Sequence, residues 1–227
     1  MKIVRAGDSS LFIETGNTIS NDISIRNRSI IEEIRKLDHP GLTECVASYT
    51  GVMIYYDPLA TTFGETSSIA EKVASEVPLI SIADSVGMYV PVAYGGEYGP
   101  DLLTVAELNH ISPGEVAEIH SRGEYMVHML GFTPGFPYLG GMDRRISAPR
   151  KAEPSLHIEA GSVGIAGDQT GIYPVESPGG WQIIGRTPLN LFAPEKENPF
   201  LYRAGERIRF IPISLAEYDR LAGKEGM

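Results

Sequence analysis

The chain has 227 residues, 42% of them hydrophobic, with a formal net charge of −10 and a pI of about 5.0. That length suits one large domain or two small ones with a packed core. The acidic balance argues against a nucleic-acid binder or an anionic membrane surface, since both partners call for basic faces. Cys45 is the only cysteine, which excludes an internal disulfide. The first residues lack the apolar run of a signal peptide, and no stretch approaches the roughly 18 apolar residues of a membrane span. The expected setting is a reducing cytoplasm.

From the N-terminus, Ile3–Arg5 and Leu11–Glu14 read as short strands around a Gly7-Asp8 turn. A helix follows from about Ser20 to Asp38, with Ile23, Ile30, Ile31, Ile34 and Leu37 at helical spacing, stopped by Pro40-Gly41. Val46–Thr50 and Val52–Tyr56 read as a strand pair turning near Gly51, ended by Asp57-Pro58. Thr66 or Ser67 is placed to cap a helix through Ser75, and Leu79–Ala83 reads as a strand. The order predicts an α+β N-terminal domain over residues 1–85, one sheet with helices on a face.

The second part opens with a strand at Met88–Tyr94, a loop over 95–100 and a short helix at Asp101–Asn109. Ser112-Pro113-Gly114-Glu115 is a helix start, with an N-cap serine, proline at the first position and a capping-box glutamate; that helix ends at Gly123. Tyr125–Leu130, Gly161–Ala166, Trp181–Arg186 and Arg207–Ile213 read as strands. Short strands with many turns predict an all-β barrel or sandwich over 86–213. Ser214 with Glu217 marks a terminal surface helix within 214–227.

The stretch 131–180 holds ten glycines and six prolines together with Phe132, Phe136, Tyr138, Leu139, Ile165, Ile172 and Tyr173. Glycine opens positive φ and close approach, proline fixes φ, and rings between them can stand as rigid walls. The reading is an ordered, loop-built surface shaping a pocket, in which Phe132, Pro134, Gly135, Phe136 and Tyr138 meet Tyr173, Ser177, Gly179, Gly180 and Trp181. For Tyr173 and Trp181 a plain core role competes with a ligand or partner surface. The chain has no Walker A sequence, no Gly-x-Ser-x-Gly elbow and no His-Glu-x-x-His. The Gly95–Gly99 loop does not sit between a strand and a long helix as a dinucleotide site requires.

Among five histidines, His120 and His128 are candidates for acid–base work or for hydrogen-bonded structural positions. No pair has metal-ligand spacing with a carboxylate, so no metal is expected. Arg150 and Arg186 suit bidentate capture of a carboxylate or phosphate, against the alternative of a salt bridge. The stem of Arg186 is expected on Trp181 or Tyr173. Arg144 and Arg145 read as surface ion pairs, and Cys45 as a small buried hydrophobe.

These motifs resemble a known family. Gly7-Asp8 with Leu11, Tyr55-Tyr56-Asp57-Pro58, Tyr98-Gly99-Pro100-Asp101-Leu102, His120, Tyr125 with Val127, Gly131–Leu139, Gly171-Ile172-Tyr173-Pro174 through Trp181, Arg186-Thr187-Pro188 and Ala204-Gly205-Glu206 with Phe210 are similar to the B subunit of bacterial 5-oxoprolinase. That family is also labelled allophanate hydrolase subunit 1, carboxyltransferase subdomain C/D, or KipI-type sporulation-kinase inhibitor. The resemblance implies a small α+β domain followed by a cyclophilin-like β-barrel. It implies ATP-dependent opening of 5-oxoproline to glutamate together with the A and C subunits of 5-oxoprolinase, ATP being bound by the complex. His120, Arg150 and Arg186 are the candidate catalytic residues, and the isolated chain is expected to be inactive. Two further readings stay open: a binding module inhibiting a histidine kinase, and a carboxyltransferase-type component of urea or allophanate metabolism. A free-standing prolyl isomerase is suggested by fold alone. The chain departs from the family where Pro154-Ser155 replaces a second Pro-Arg and where Glu159 stands at a common proline position. An anion site using that second arginine would here have to move to Arg150 and Arg186.

Overall fold

The computed structural model describes residues 1–79 and 87–223. Two compact units divide between Ile82 and Ala83. The expected boundary after residue 85, and the strand expected from Leu79 to Ala83 beyond its first residue, fall on residues 80–86, outside the described residues. Among the described residues no helix is long and apolar enough to cross a membrane.

The first unit contains strands β1 (Lys2–Arg5) and β2 (Ser10–Glu14), helix α1 (Asn21–Lys36), strands β3 (Leu42–Ala47) and β4 (Gly51–Tyr56), and helix α2 (Phe63–Glu76). The antiparallel sheet has the order β1-β2-β4-β3. Alternation along the strands sends Leu11, Ile13, Val52 and Ile54 into one core with Ile30, Ile31 and Ile34 of α1 and Ala70 of α2. Two expectations are corrected. The strand expected at Val46–Thr50 runs Leu42–Ala47 instead, because Ser48 turns the chain by donating its amide to the Gly51 carbonyl at 2.8 Å. Helix α2 starts earlier than Thr66 or Ser67: Thr62 and Glu65 close a full capping box, which satisfies two amides that a later start would leave open.

The second unit follows with β5 (Met88–Tyr94), α3 (Leu102–Asn109), α4 (Pro113–Arg122), β6 (Tyr125–Leu130), β7 (Pro137–Gly140), β8 (Ser155–Ile158), β9 (Ser162–Ala166), β10 (Gln169–Ile172), β11 (Ser177–Gly179), β12 (Gln182–Arg186), β13 (Arg207–Pro212) and α5 (Leu215–Leu221). Seven strands close a barrel in the order β10-β7-β6-β13-β5-β12-β9, while β8 and β11 pair as a separate ribbon. The helix starts at Ser112 and Ser214 lie where the capping signals put them. Strands β7, β8, β10 and β11 lie within 131–180, where the glycine and proline content predicts mostly loop.

The barrel interior holds Val90, Val92, Val127, Leu139, Val163, Ile165, Ile172, Ile184 and Phe210, with His120 of α4 among them at 0% exposure. His120 Nδ1 lies 2.7 Å from the Tyr94 hydroxyl and Nε2 lies 2.9 Å from Thr170 Oγ1. Thr170 donates to the Gly164 carbonyl at 3.0 Å, so Nε2 carries the ring proton and Nδ1 accepts from Tyr94. The ring sits 4.5 Å from Phe210, and the Tyr125 hydroxyl donates to the His120 carbonyl at 2.7 Å. Every polar atom of the imidazole is satisfied in its neutral form. Of the two readings of His120, acid–base work or a hydrogen-bonded structural position, this geometry is that of the second: its hydrogen-bonding neighbours are inside the barrel.

Burial drives the His120 pKa down to about 3. The folded state therefore binds fewer protons than the unfolded chain at pH values between the two pKa values. Stability from this group is complete above about pH 6.5 and falls as pH drops toward 3, by up to about 4 kcal/mol. His128, lowered to about 4 by burial, acts with the same sign. Melting temperature followed from pH 7 to 4 is expected to fall less steeply for His120→Gln than for the wild-type chain. Parallel profiles would show that His120 does not titrate in this way.

Candidate functional site

The Gly131–Pro137 connection between β6 and β7 is a tight, internally bonded loop. Gly131 N–H donates to the Phe136 carbonyl at 3.1 Å, and Phe136 N–H donates to the Thr133 carbonyl at 3.1 Å. Gly135 has φ +80°, and its carbonyl accepts from the buried Tyr202 hydroxyl at 2.8 Å. This folding drives Phe136 inward to 1% exposure. Its ring is edge-on to Tyr138 at 4.9 Å, Tyr173 at 5.1 Å, Trp181 at 5.3 Å and Phe132 at 5.7 Å. The two glycine-rich segments thus meet, as their composition predicts. Two glycines make the meeting possible: a Cβ on Gly171 would stand 2.8 Å from the Phe136 ring, and one on Gly179 would collide with the Tyr173 hydroxyl and lie 2.9 Å from Ile158.

The rings do not form the walls of an open pocket. Phe136, Tyr173 and Trp181, at 1%, 1% and 4% exposure, form a small second core with Ile158, Ala166 and Ile183. Burial raises the Tyr173 phenol to about 12, and its oxygen accepts a hydrogen bond from the Trp181 backbone. What faces solvent above this core is Phe132, 63% exposed with φ +69°, and the exposed Pro134. Left-handed backbone at a bulky residue is uncommon and strained, a condition that clusters at functional positions. The hydroxyls of Thr133 and Ser177, one on each segment, are buried and lack a hydrogen-bond partner among the described residues.

Arg150 belongs to the chain crossing from the 3-10 turn after β7 to β8. That strap is fastened on both sides of the arginine. Ala148 bridges to Gly167, Gln182 Nε2 donates to the Pro149 carbonyl at 3.0 Å, and Lys151 N–H donates to the Gly180 carbonyl at 2.7 Å. The Lys151 ammonium pairs with Asp101 at 2.6 Å, with side-chain exposures of only 21% and 16%. Arg150 itself is exposed, and no hydrogen bond or ion pair joins it to any described residue. Burial raises the phenol pKa of Tyr138 and Tyr173, and the nearby Arg150 charge opposes both shifts. An uncommitted guanidinium near the half-buried Tyr138 ring can receive a small molecule bearing a carboxylate.

Arg186 lies at the far end of β12, about 16 Å along the strand from Trp181. Its stem does not pack on Trp181 or Tyr173. The guanidinium pairs with Glu159, lies 5.2 Å over the Tyr98 ring and bonds the Tyr218 hydroxyl of α5, with the side chain 13% exposed. Glu159, the departure noted in the sequence, is therefore the partner that occupies this arginine. Arg144 and Arg145 pair with Asp168 and Asp143 at 3.2 and 2.7 Å. His128 is 2% exposed at a bulge of β6. Asp101 lies in the Tyr98–Leu102 motif and Lys151 in no motif, and sequence reasoning singles out neither as a site residue. Asp101 sits at the N-cap of α3 yet makes no capping bond; its carboxylate accepts from Ile183 N–H at 2.7 Å and from Lys151. A missing cap of this kind costs a helix about 1 kcal/mol.

A family model for the carboxyltransferase domain, subdomain C and D, matches residues 1–202. The chain is 42% identical to the B subunit of 5-oxoprolinase from Bacillus subtilis, across 96% of this chain and 95% of that protein. The chain belongs to this family. A conserved uncharacterized protein from Pyrococcus horikoshii is 44% identical, with a TM-score of 0.58 over 96% of this chain and all of that one. The K. lactis urea amidolyase superposes with a TM-score of 0.80 over 98% of this chain and 16% of its own, at 22% identity, which is a likeness of fold.

The two neighbouring glycines separate close packing from open space. Gly179→Ala is expected to destabilise the chain by about 1–3 kcal/mol and to shift the emission of Trp181, because the new Cβ displaces Tyr173. Gly180→Ala, whose nearest atoms lie 3.8 Å away, is expected to stay within about 0.5 kcal/mol of wild type. Chemical denaturation followed by Trp181 fluorescence distinguishes them, and equal effects would contradict the packing described.

Proposed function

We propose that the chain is the B subunit of an ATP-dependent 5-oxoprolinase, a complex that opens 5-oxo-L-proline to L-glutamate with ATP hydrolysis, working with the A and C subunits. The observation that carries this reading is the full-length similarity to the Bacillus subtilis protein. The site adds chemical sense. The substrate is a flat five-membered lactam with a carboxylate; Arg150 takes the carboxylate through its unoccupied fork, and Phe132 and Tyr138 offer ring surface to the lactam. Activation of the amide by ATP builds anionic species, for which a fixed cation near the reacting atoms is the fitting counter-charge. The barrel is read as the cyclophilin-like type, and the complex as cytoplasmic. ATP is bound by the assembled complex, since the sequence of this chain carries no phosphate-binding motif. The role of Arg186 in this reading is to hold α5 and Glu159 in place, and that of His120 to complete the barrel core.

The test is reconstitution. The purified chain alone is expected to show no 5-oxoproline-dependent ATP hydrolysis, and addition of the A and C subunits is expected to produce it. In that complex Arg150→Lys, which keeps the charge but loses the fork, is expected to lower kcat/KM at least about tenfold, or roughly 1.4 kcal/mol. Turnover by the single chain, or no turnover with both partners present, would refute the assignment.

A further inference from the structure

The Lys151–Asp101 pair stands outside the hydrophobic core and caps no helix. Asp101 holds the N-cap position of α3 but turns its carboxylate away from the helix to Ile183 N–H and Lys151 Nζ. A largely buried pair contributes little net stability relative to apolar side chains of the same volume, so its presence calls for another explanation. Its position supplies one. Lys151 directly follows Arg150, its own amide is tied to Gly180, and the Pro149 carbonyl on the other side is tied to Gln182. Lys151 Nζ also reaches Ser155 Oγ at 3.3 Å, at the start of β8. With both neighbours fastened inward, Arg150 is the side chain left facing out beside Tyr138 and Tyr173.

We propose that Lys151 and Asp101 are positioning residues, whose ion pair sets the strap so that Arg150 is presented to the carboxylate of the substrate. The inference rests on the reading of Arg150 as the carboxylate-binding group. A small displacement of a binding group loses a large part of its effect, and the strap has no regular strand pairing at Arg150 to hold it otherwise. The pair joins the strap to the N-terminus of α3 and to β12, so the arginine is referenced to the barrel wall through two independent elements.

The chain carries its own reporter, because Trp181 is its only tryptophan and lies in the ring cluster. Trp181 emission of the full-length chain is titrated with 5-oxo-L-proline, and thermal melting is recorded for each variant. The wild-type chain is expected to give a saturable change, and Arg150→Gln to abolish it. The double variant Lys151→Met with Asp101→Asn keeps an acceptor for Ile183 N–H and leaves no buried charge. It is expected to melt close to wild type yet bind at least about tenfold more weakly. Asp101→Asn alone, with Lys151 still able to reach water, is expected to show the same weakening, and Lys151→Arg, which keeps the pair, to bind as wild type does. A double variant that folds and binds like wild type overturns the positioning role while leaving Arg150 in place. A wild-type chain whose emission does not respond, or an Arg150→Gln variant that binds unchanged, overturns the reading of Arg150 and the positioning role with it.

Discussion

The packing of the Phe136 ring among Tyr138, Tyr173 and Trp181 is the interaction on which the rest of the site depends. Each edge-to-face contact is worth about 0.5–1.5 kcal/mol beyond the area it buries, and together they clamp two segments some forty residues apart. The clamp needs missing side chains: Gly171 admits the Phe136 ring and Gly179 admits the Tyr173 hydroxyl. Once it is closed, the Gly131–Pro137 loop has little freedom. Phe136 goes down, and Phe132, four residues earlier, is left above the cluster in a left-handed conformation. The exposed ring is a consequence of that buried contact, while the strap bearing Arg150 is held by its own bonds to Gly167, Gly180 and Gln182.

The charged and polar residues divide by the same logic. His120 has every ring atom satisfied inside the barrel and no charge to offer. Arg186 has a carboxylate, a ring face and a phenol around it. Only Arg150, of the three candidate catalytic residues, has neither a hydrogen bond nor an ion pair to a described residue. Two arginines in comparable sequence settings, each just after a short apolar segment, thus have opposite environments. The difference arises from Glu159 and α5 at one end of β12, and from Lys151 at the other, where the neighbouring lysine takes the available aspartate.

Much of this architecture is legible in the sequence because it follows local rules. The isoleucine stripe of α1, the capping boxes at Ser112 and Ser214, and the strands at Met88, Tyr125 and Arg207 carry periodicity or capping that a single sequence displays. The capping box at Thr62 obeys the same rule, but Thr66 and Ser67 compete with it as nearby caps. Strands β7 and β11 are not legible, since three or four residues rich in glycine and proline show neither alternation nor β-branched enrichment, and β10, though it holds Thr170 and Ile172, is only four residues long. At the site, composition identifies the right rings. It does not separate Phe132 from Phe136, whose opposite burial is decided by backbone conformation. Nor does it mark Asp101 and Lys151, fifty residues apart, where the only local sign is an N-cap aspartate that does not cap.

Arg150 and Phe132 together form one receptor above the Phe136 cluster in the function proposed for this chain. A crystal structure of the chain with bound 5-oxo-L-proline tests that receptor most directly. The expected result is ligand density with a carboxylate oxygen within about 3 Å of the Arg150 guanidinium and the lactam ring against the Phe132 side chain. Ligand held elsewhere, with Arg150 still free and Phe132 uncovered, would contradict it.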